Sequence, residues 1–339
     1  MNKILVTGGL GYIGSHTVVA LQNAGYDVII IDDCSNAEED FLERITSITN
    51  KQPEFFKIDL KNEEETKLFF KTNKVDGIIH FAAYKAVGES VQKPLMYYRN
   101  NLVGLINILE AMQEFDANNI IFSSSCTVYG QADVMPIDEQ TPLKRPESPY
   151  GKTKQMGEEI LEDFSIIAQK NVICLRYFNP VGAHESAKIG ELPKGIPNNL
   201  VPYVTQTAAG VRECLSVWGD DYPTRDGTAI RDYIDVNDLA DAHVKAMTRL
   251  IDKQNKTTLE FFNLGTGTGS TVLEVVNAFQ NANDLKINYQ IQGRREGDIV
   301  EAYANNTLAK TELNWEPKTS LETSLRNSWK WEQNLRAEN

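Results

Sequence analysis

The sequence predicts an α/β fold: an N-terminal doubly wound parallel sheet followed by a smaller C-terminal α/β lobe. Three observations carry this. Through roughly the first 180 residues, short apolar runs of strand type alternate with segments whose apolar residues recur at threes and fours. A glycine-rich turn joins the first of these strands to the first helix. After about residue 180 the texture changes to proline- and glycine-punctuated segments with shorter elements.

In chain order, the expected strands are KILVT, DVIIID, FFKID, GIIHFA, NIIFSS and VICLRY. Helical patterns fall between them at 12–23, 63–72, 95–113 and 150–168. The crossover rule makes each strand–helix–strand unit right-handed. Farther on, GELPKGIPNNLVPY and WGDDYPTRDGTAIRDY read as loops, LSVWG and INYQI as strands, and 236–250, 271–280 and 321–335 as helices. No internal repeat or low-complexity linker divides the chain. Residues 1–180 and 181–339 are therefore expected as two lobes of one body, with the chain able to cross between them.

Composition excludes several function classes. The 339 residues carry 34 Lys and Arg against 47 Asp and Glu, a net charge of −13, which argues against a nucleic-acid surface. Any anionic ligand must be met by local donors. No run of apolar residues is long enough for a signal peptide or a membrane span, so a cytoplasmic protein without a membrane partner is expected. Cys34, Cys126, Cys174 and Cys214 form no CxxC pair and read as buried thiols of a reducing compartment. The four histidines have no ligand spacing, and His16 and His80, both in apolar runs, read as structural. No metal is expected.

VTGGLGYIG places Gly8, Gly11 and Gly14 at three-residue spacing directly after a strand and at the start of a helix. Glycines there allow a tight turn, let backbone approach a pyrophosphate and expose helix N-terminal N–H groups to it. The next strand ends in Asp32, eighteen residues past Gly14, where a carboxylate can accept both ribose hydroxyls of an adenosine. Its charge repels a 2′-phosphate, so NAD is favoured over NADP. A Rossmann-like cofactor lobe follows. The second cluster, NLGTGTGS with Gly265, Gly267 and Gly269, has the wrong spacing and no acid-terminated strand after it, and reads as a turn.

SPYGKTK sets Tyr150 and Lys154 four apart on one helix face, where a cation near a phenol favours phenolate. Taken with the serine-rich strand end SSSCTVYG and with TGGLGYIG, YGKTK resembles the extended short-chain dehydrogenases/reductases. That resemblance implies Ser125, Tyr150 and Lys154 as a proton-handling group. HFAAYKAVGESVQKP, LRYFNPVGAH, GIPNNLVPY, DGTAIRDYI and RREGD extend it over the whole chain and are similar to segments of the UDP-hexose 4-epimerases within that family.

The resemblance implies NAD-mediated oxidation at C4 of a UDP-sugar, rotation of the 4-keto sugar and return of the hydride, interconverting UDP-glucose and UDP-galactose. In this scheme Tyr150 handles the 4-hydroxyl proton, Ser125 holds the 4-oxygen, and Lys154 keeps Tyr150 partly as phenolate while reaching the nicotinamide ribose. Cofactor contacts are implied at Gly8, Gly11, Tyr12, Ile13, Gly14, Asp32, Asn36, Asp59, Leu60, Phe81, Ala82, Lys85, Asn100, Lys154 and Phe178. Substrate contacts are implied at Lys85, Ser125, Tyr150, Asn179, Asn199, Leu200, Val217, Trp218, Arg231, Arg295, Asp298 and Ala302.

The two arginines suit a diphosphate, which takes fork-shaped cationic donors. Their alternative is an ion pair with the adjacent Asp232 or Glu296. The resemblance places Ala302 near the sugar, where family members carry either a bulky aromatic or a small residue; alanine leaves room for an N-acetyl group at C2, so the N-acetylated UDP-hexosamines are expected as further substrates. A homodimer through helices 95–113 and 150–168 is implied by the same resemblance. Two other readings stay open: a nucleotide-sugar 4,6-dehydratase of the same fold, which usually needs an Asp–Glu pair where this chain has Cys126 and Thr127, and a non-catalytic NAD-sensing protein.

Overall fold

The computed structural model describes residues 2–295 and 298–338. Its centre is a seven-stranded sheet, parallel throughout, ordered β3-β2-β1-β4-β5-β6-β11. The strands are β1 (Lys3–Thr7), β2 (Asp27–Asp32), β3 (Glu54–Lys57), β4 (Gly77–His80), β5 (Asn119–Ser125), β6 (Asn171–Tyr177) and, much later in the chain, β11 (Leu259–Leu264). Strand order reverses between β1 and β4, and ligands of open α/β sheets bind outside the carboxyl ends of the strands at such a point.

The central strands are apolar along nearly their whole length because both faces are covered. Ile4, Val6, Ile30, Ile79, Ile121 and Ile173 point to one core, shared with helices α1 (Tyr12–Asn23), α2 (Phe41–Thr49) and α8 (Val236–Ile251). Their neighbours Leu5, Ile29, Ile31, Ile78, Ile120 and Val172 point to the other, shared with α3 (Glu63–Thr72), α5 (Pro94–Glu114) and α6 (Pro149–Ala168). The period-2 alternation of each strand thus builds two separate cores.

A third core gathers β7 (Asn179–Val181), α7 (Leu200–Ala208), β8 (Leu215–Trp218), β10 (Tyr233–Asp235), α9 (Val272–Asn283) and α11 (Leu321–Glu338). Short strands β9 (Ile230–Arg231), β12 (Ser270–Thr271) and β14 (Glu301–Ala302) form a three-stranded sheet, and β13 (Tyr289–Gln292) pairs with β8. Helices α4 (Val87–Gln92) and α10 (Thr307–Glu312) complete the set. Among the described residues no helix is long and apolar enough to cross a membrane.

Three differences from the sequence reading have physical causes. The segment expected as loop around 200 is helix α7: Pro202 resembles loop punctuation, but proline is tolerated in a helix's first turn, where its missing N–H costs nothing. Helix α2 is too short for a sustained period and buries only Phe41 and Ile45 fully. Strand β11 pairs in full register with β6, and α8 lies against α1, so the chain returns to the large sheet between residues 236 and 264. Of the four free cysteines only Cys174 is fully buried; Cys34, Cys126 and Cys214 are half-buried.

Candidate active site

The turn after β1 has little choice of residue. Gly8 donates its N–H to the Ile31 carbonyl (2.7 Å) at φ +69°, a left-handed conformation, and a Cβ on it would stand 2.8 Å from the Ala82 nitrogen. A Cβ on Gly14 would fall 2.2 Å from the Gly8 carbonyl oxygen. Helix α1 starts immediately, with Gly11 as an N-cap that has no side chain to satisfy the first N–H groups. Those donors and the positive end of the helix dipole face a cleft.

Asp32 sits at the far end of the turn, accepting from the Leu10 N–H (3.1 Å) and the Cys34 N–H (3.0 Å). Burial raises its pKa, which those two donors oppose. Bare N–H groups at one end and a fixed carboxylate at the other fit a pyrophosphate and a ribose, so these residues fit a dinucleotide.

The cleft is walled by Gly8, Gly11, Tyr12, Ile13, Gly14, Asp32, Asn36, Asp59, Leu60, Phe81, Ala82, Lys85 and Asn100. Asp59 and Asn100 are linked by Lys61, which pairs with the first (2.9 Å) and donates to the second (3.0 Å). Phe178 does not line it; the ring is buried in a cluster with Val128, Tyr129 and Ala302.

The inner end of the same cleft reaches Tyr150 and Lys154. Ser148 caps α6 by accepting from the Gly151 N–H (3.2 Å) and Pro149 occupies the first helical position, so the helix begins where Tyr150 must be presented. Strand β5 ends at Ser125, in register with Tyr177 of β6, and Ser125 Oγ accepts from the Thr127 N–H (3.3 Å). Lys154, 4% exposed, donates to the Ser123 carbonyl (2.5 Å) and to Ser123 Oγ (3.0 Å).

The electrostatics correct the expected role of Lys154. Burial pushes the Tyr150 phenol up to about 12, with only the nearby Ser125 hydroxyl lowering it. Burial likewise brings the Lys154 ammonium down to about 7, against the pull of Glu158 one turn on. The lysine does not by itself hold a phenolate, because desolvation of the phenol outweighs it.

Asn179, Asn199, Leu200, Val217, Trp218, Arg231, Arg295, Asp298 and Ala302 do not line this cleft and belong to the second group of elements. Asn199 precedes α7 without a side-chain cap bond and donates instead to Glu191 (2.7 Å), the carboxylate that also holds Lys85 (2.8 Å). Tyr12 donates to the Gly182 carbonyl (2.8 Å), a second tie between the two groups.

Val217 and Trp218 end β8, with the Arg295 guanidinium over the Trp218 ring at 5.1 Å. Arg231 pairs with Asp298, not with its neighbour Asp232. Asp232 is fully buried and accepts from the N–H groups of Thr266 (2.8 Å), Gly267 (3.1 Å) and Ala304 (3.1 Å), which pins the second glycine cluster as a turn. Glu296, the other expected partner, lies outside the described residues.

The sequence profile of the GDP-mannose 4,6 dehydratase family matches residues 5–328. A UDP-glucose 4-epimerase of Bacillus subtilis is 49% identical over 330 residues, covering 97% of this chain and 96% of that one. The chain belongs to the UDP-glucose 4-epimerase family. Two solved epimerase structures superpose over nearly the full length. One, from Stenotrophomonas maltophila with bound NAD and formylated UDP-arabinopyranose, gives a TM-score of 0.96 at 43% identity and covers all of both chains. The other, from Bifidobacterium longum in complex with NAD+ and UDP, gives 0.94 at 44% identity and covers 98% of each.

Within the epimerase family the dehydratase reading loses its chemical basis. Cys126 and Thr127 occupy the turn after Ser125, and burial pushes the Cys126 thiol up to about 12, so neither side chain supplies an acid–base pair for eliminating water. Sequence reasoning missed Ser123, Ser124 and Tyr177, which line the inner cleft. The repeated serines of SSSC and the terminal tyrosine of VICLRY were the available signal: both end adjacent strands at the crevice.

Proposed function

We propose that this chain interconverts UDP-glucose and UDP-galactose by oxidation at C4, rotation of the 4-keto sugar and reduction on its other face. The observation that carries the reading is the placement of Tyr150 and Lys154 at the inner end of a cleft whose outer end fits a dinucleotide, with Ser125 at the end of the neighbouring strand β5. When bound, NAD supplies the hydride acceptor and donor. Tyr150 takes the proton of the sugar 4-hydroxyl and gives it back, Ser125 holds the 4-oxygen, and Lys154 would hold the cofactor's ribose. Arg231 and Arg295 meet the diphosphate, and Asn179, Asn199, Leu200, Val217, Trp218 and Asp298 hold the rest of the nucleotide sugar.

In the same reading residues 1–180, together with the returning segment 236–264, hold mainly the cofactor, and the rest holds mainly the nucleotide sugar. The protein works in the cytoplasm as a homodimer. Support for pairing comes from exposed apolar side chains on α5 and α6, among them Leu95 (80% exposed) and Ile167 (82%). A solution mass of one chain would remove the dimer.

Ala302 stands next to Arg231 in the strand register and packs with Phe178, and its small side chain is the reason to include the N-acetylated UDP-hexosamines as substrates. The test is direct: incubate purified protein with UDP-galactose or UDP-N-acetylgalactosamine and resolve the products. Conversion of both to the gluco epimers is expected, with Ala302→Tyr suppressing only the N-acetylated reaction by steric exclusion. No conversion of UDP-galactose overturns the main reading; conversion of UDP-galactose alone overturns the wider one.

A further inference from the structure

The helix that presents Tyr150 and Lys154 is tied to the sheet by a charge pair outside the cleft. Glu158 and Arg176 are 3% and 4% exposed. Arg176 donates from Nε to Glu158 Oε1 (2.9 Å) and from Nη2 to Oε2 (2.8 Å), and the hydroxyl of Ser124, which lines the inner cleft, also donates to Glu158 Oε1. Three elements thus meet on one carboxylate: α6 carries it, and β5 and β6 hold it.

The guanidinium is itself fixed. Its carbon lies over the rings of Tyr129 at 4.9 Å and Phe261 at 4.5 Å, and Nη1 donates to the Tyr129 hydroxyl (2.9 Å). That hydroxyl donates on to Oδ1 of Asn263 (2.7 Å), the partner of Arg176 in the strand register, and Asn263 Nδ2 donates to the Ile137 carbonyl (3.0 Å). Ser124, Glu158, Arg176, Tyr129 and Asn263 are all buried.

We propose that Glu158, clamped by Arg176 and Ser124, is a positioning residue that fixes α6 along its axis, and with it Tyr150 and Lys154 at the inner end of the cleft. The inference rests on the reading of those two side chains as reacting groups. Lys154 lies four residues before Glu158 and Tyr150 eight before it, about 6 and 12 Å along the helix. The apolar contacts of α6 hold it close to β5 without setting that position. At Gly157 the helix comes so near that an added Cβ would fall 2.6 Å from the Phe122 ring, and such a contact resists separation more than sliding. Stability alone does not call for buried charges there, since a buried ion pair can be exchanged for apolar residues of similar volume at little or no cost. Position does, because a misplacement of about 1 Å between reacting groups can cost about 10²-fold in rate.

The experiment exchanges both partners at once, Glu158→Met with Arg176→Met, so that neither charge is left buried alone. The double variant is expected to melt no lower than wild type and to purify with as much NAD. Its kcat per bound NAD falls about 10²-fold. The isotope effect with UDP-galactose deuterated at C4 rises, because the slowed chemical step then dominates turnover. A mere loss of folded molecules would lower activity and NAD together and leave the isotope effect alone. Arg176→Lys, which keeps both charges but not the fork, falls between the two. The same proteins carrying 3-fluorotyrosine at position 150 report placement without turnover, and the ¹⁹F resonance is expected to move or split in the double variant. An unchanged kcat per bound NAD overturns the proposal, as does an unmoved ¹⁹F resonance or an unchanged isotope effect. If the double variant does not fold, Arg176→Lys carries the test on the same criteria. A wild type that epimerises no sugar, with the ¹⁹F resonance still moving in the variant, keeps the positioning and removes the proposed reaction instead.

Discussion

The Lys154 ammonium lies 6.0 Å from the centre of the Tyr150 ring, while its hydrogen bonds run to Ser123. The i, i+4 spacing brings the two residues together without pairing them. Tyr150 therefore stands as a protonated phenol in the free protein, and what must draw its proton is positive charge added to the cleft.

This makes a spectroscopic prediction. In protein stripped of cofactor, the wild-type minus Tyr150→Phe absorbance at the phenolate band titrates near 12. Reloading oxidised NAD, whose nicotinamide is cationic, moves that titration down. In turnover, Tyr150→Phe loses about 10²- to 10⁴-fold in kcat. Near-normal rates in that variant across pH would remove Tyr150 from the chemistry.

Gly14→Ala should purify without NAD. The added methyl meets the Gly8 carbonyl at 2.2 Å and pushes open the turn that faces the pyrophosphate. Gly88→Ala, in α4 with nothing within 4 Å of the new carbon, is the control and keeps its cofactor. The check is the NAD content of the supernatant after each protein is denatured. Equal content in the two would detach the glycine turn from the cofactor.

Acid should destabilise the fold through its buried histidines. Burial lowers His16 and His80 to about 3 and His243 to about 4. The unfolded chain, titrating near the ordinary 6.5, binds more protons than the native one below that pH. Stability therefore falls as pH drops from about 6.5 toward 4, by at most about 1.4 kcal/mol per pH unit for each histidine. Urea midpoints between pH 7 and 4 measure it, and His80→Gln should flatten the slope. A midpoint constant over that range contradicts the assignment of all three as neutral.

The parts of this structure legible in the sequence are those whose signals are local. Most of the early strands announce themselves because burial on both faces makes them apolar runs, the half-exposed edge strand β3 excepted, while one turn fixes the spacing of Gly8 and Gly14 and the end of β2 marks Asp32. Helix α7 hid behind Pro202, and β11 gave no local sign that it belongs to the sheet begun at Lys3. Arg231 and Asp298, paired across 67 residues, were offered as substrate contacts only by resemblance. Tyr177 and His243, 66 residues apart on different elements, were reachable by neither spacing nor composition.

In the proposed reaction the hydrogen on C4 leaves and returns within one cleft. UDP-galactose carrying deuterium at C4, incubated with the purified protein without added NAD, tests it most directly. The account predicts UDP-glucose with the deuterium still at C4 and no accumulation of reduced cofactor. Loss of the label to solvent, or its appearance in a released reduced cofactor together with a keto sugar, would contradict it.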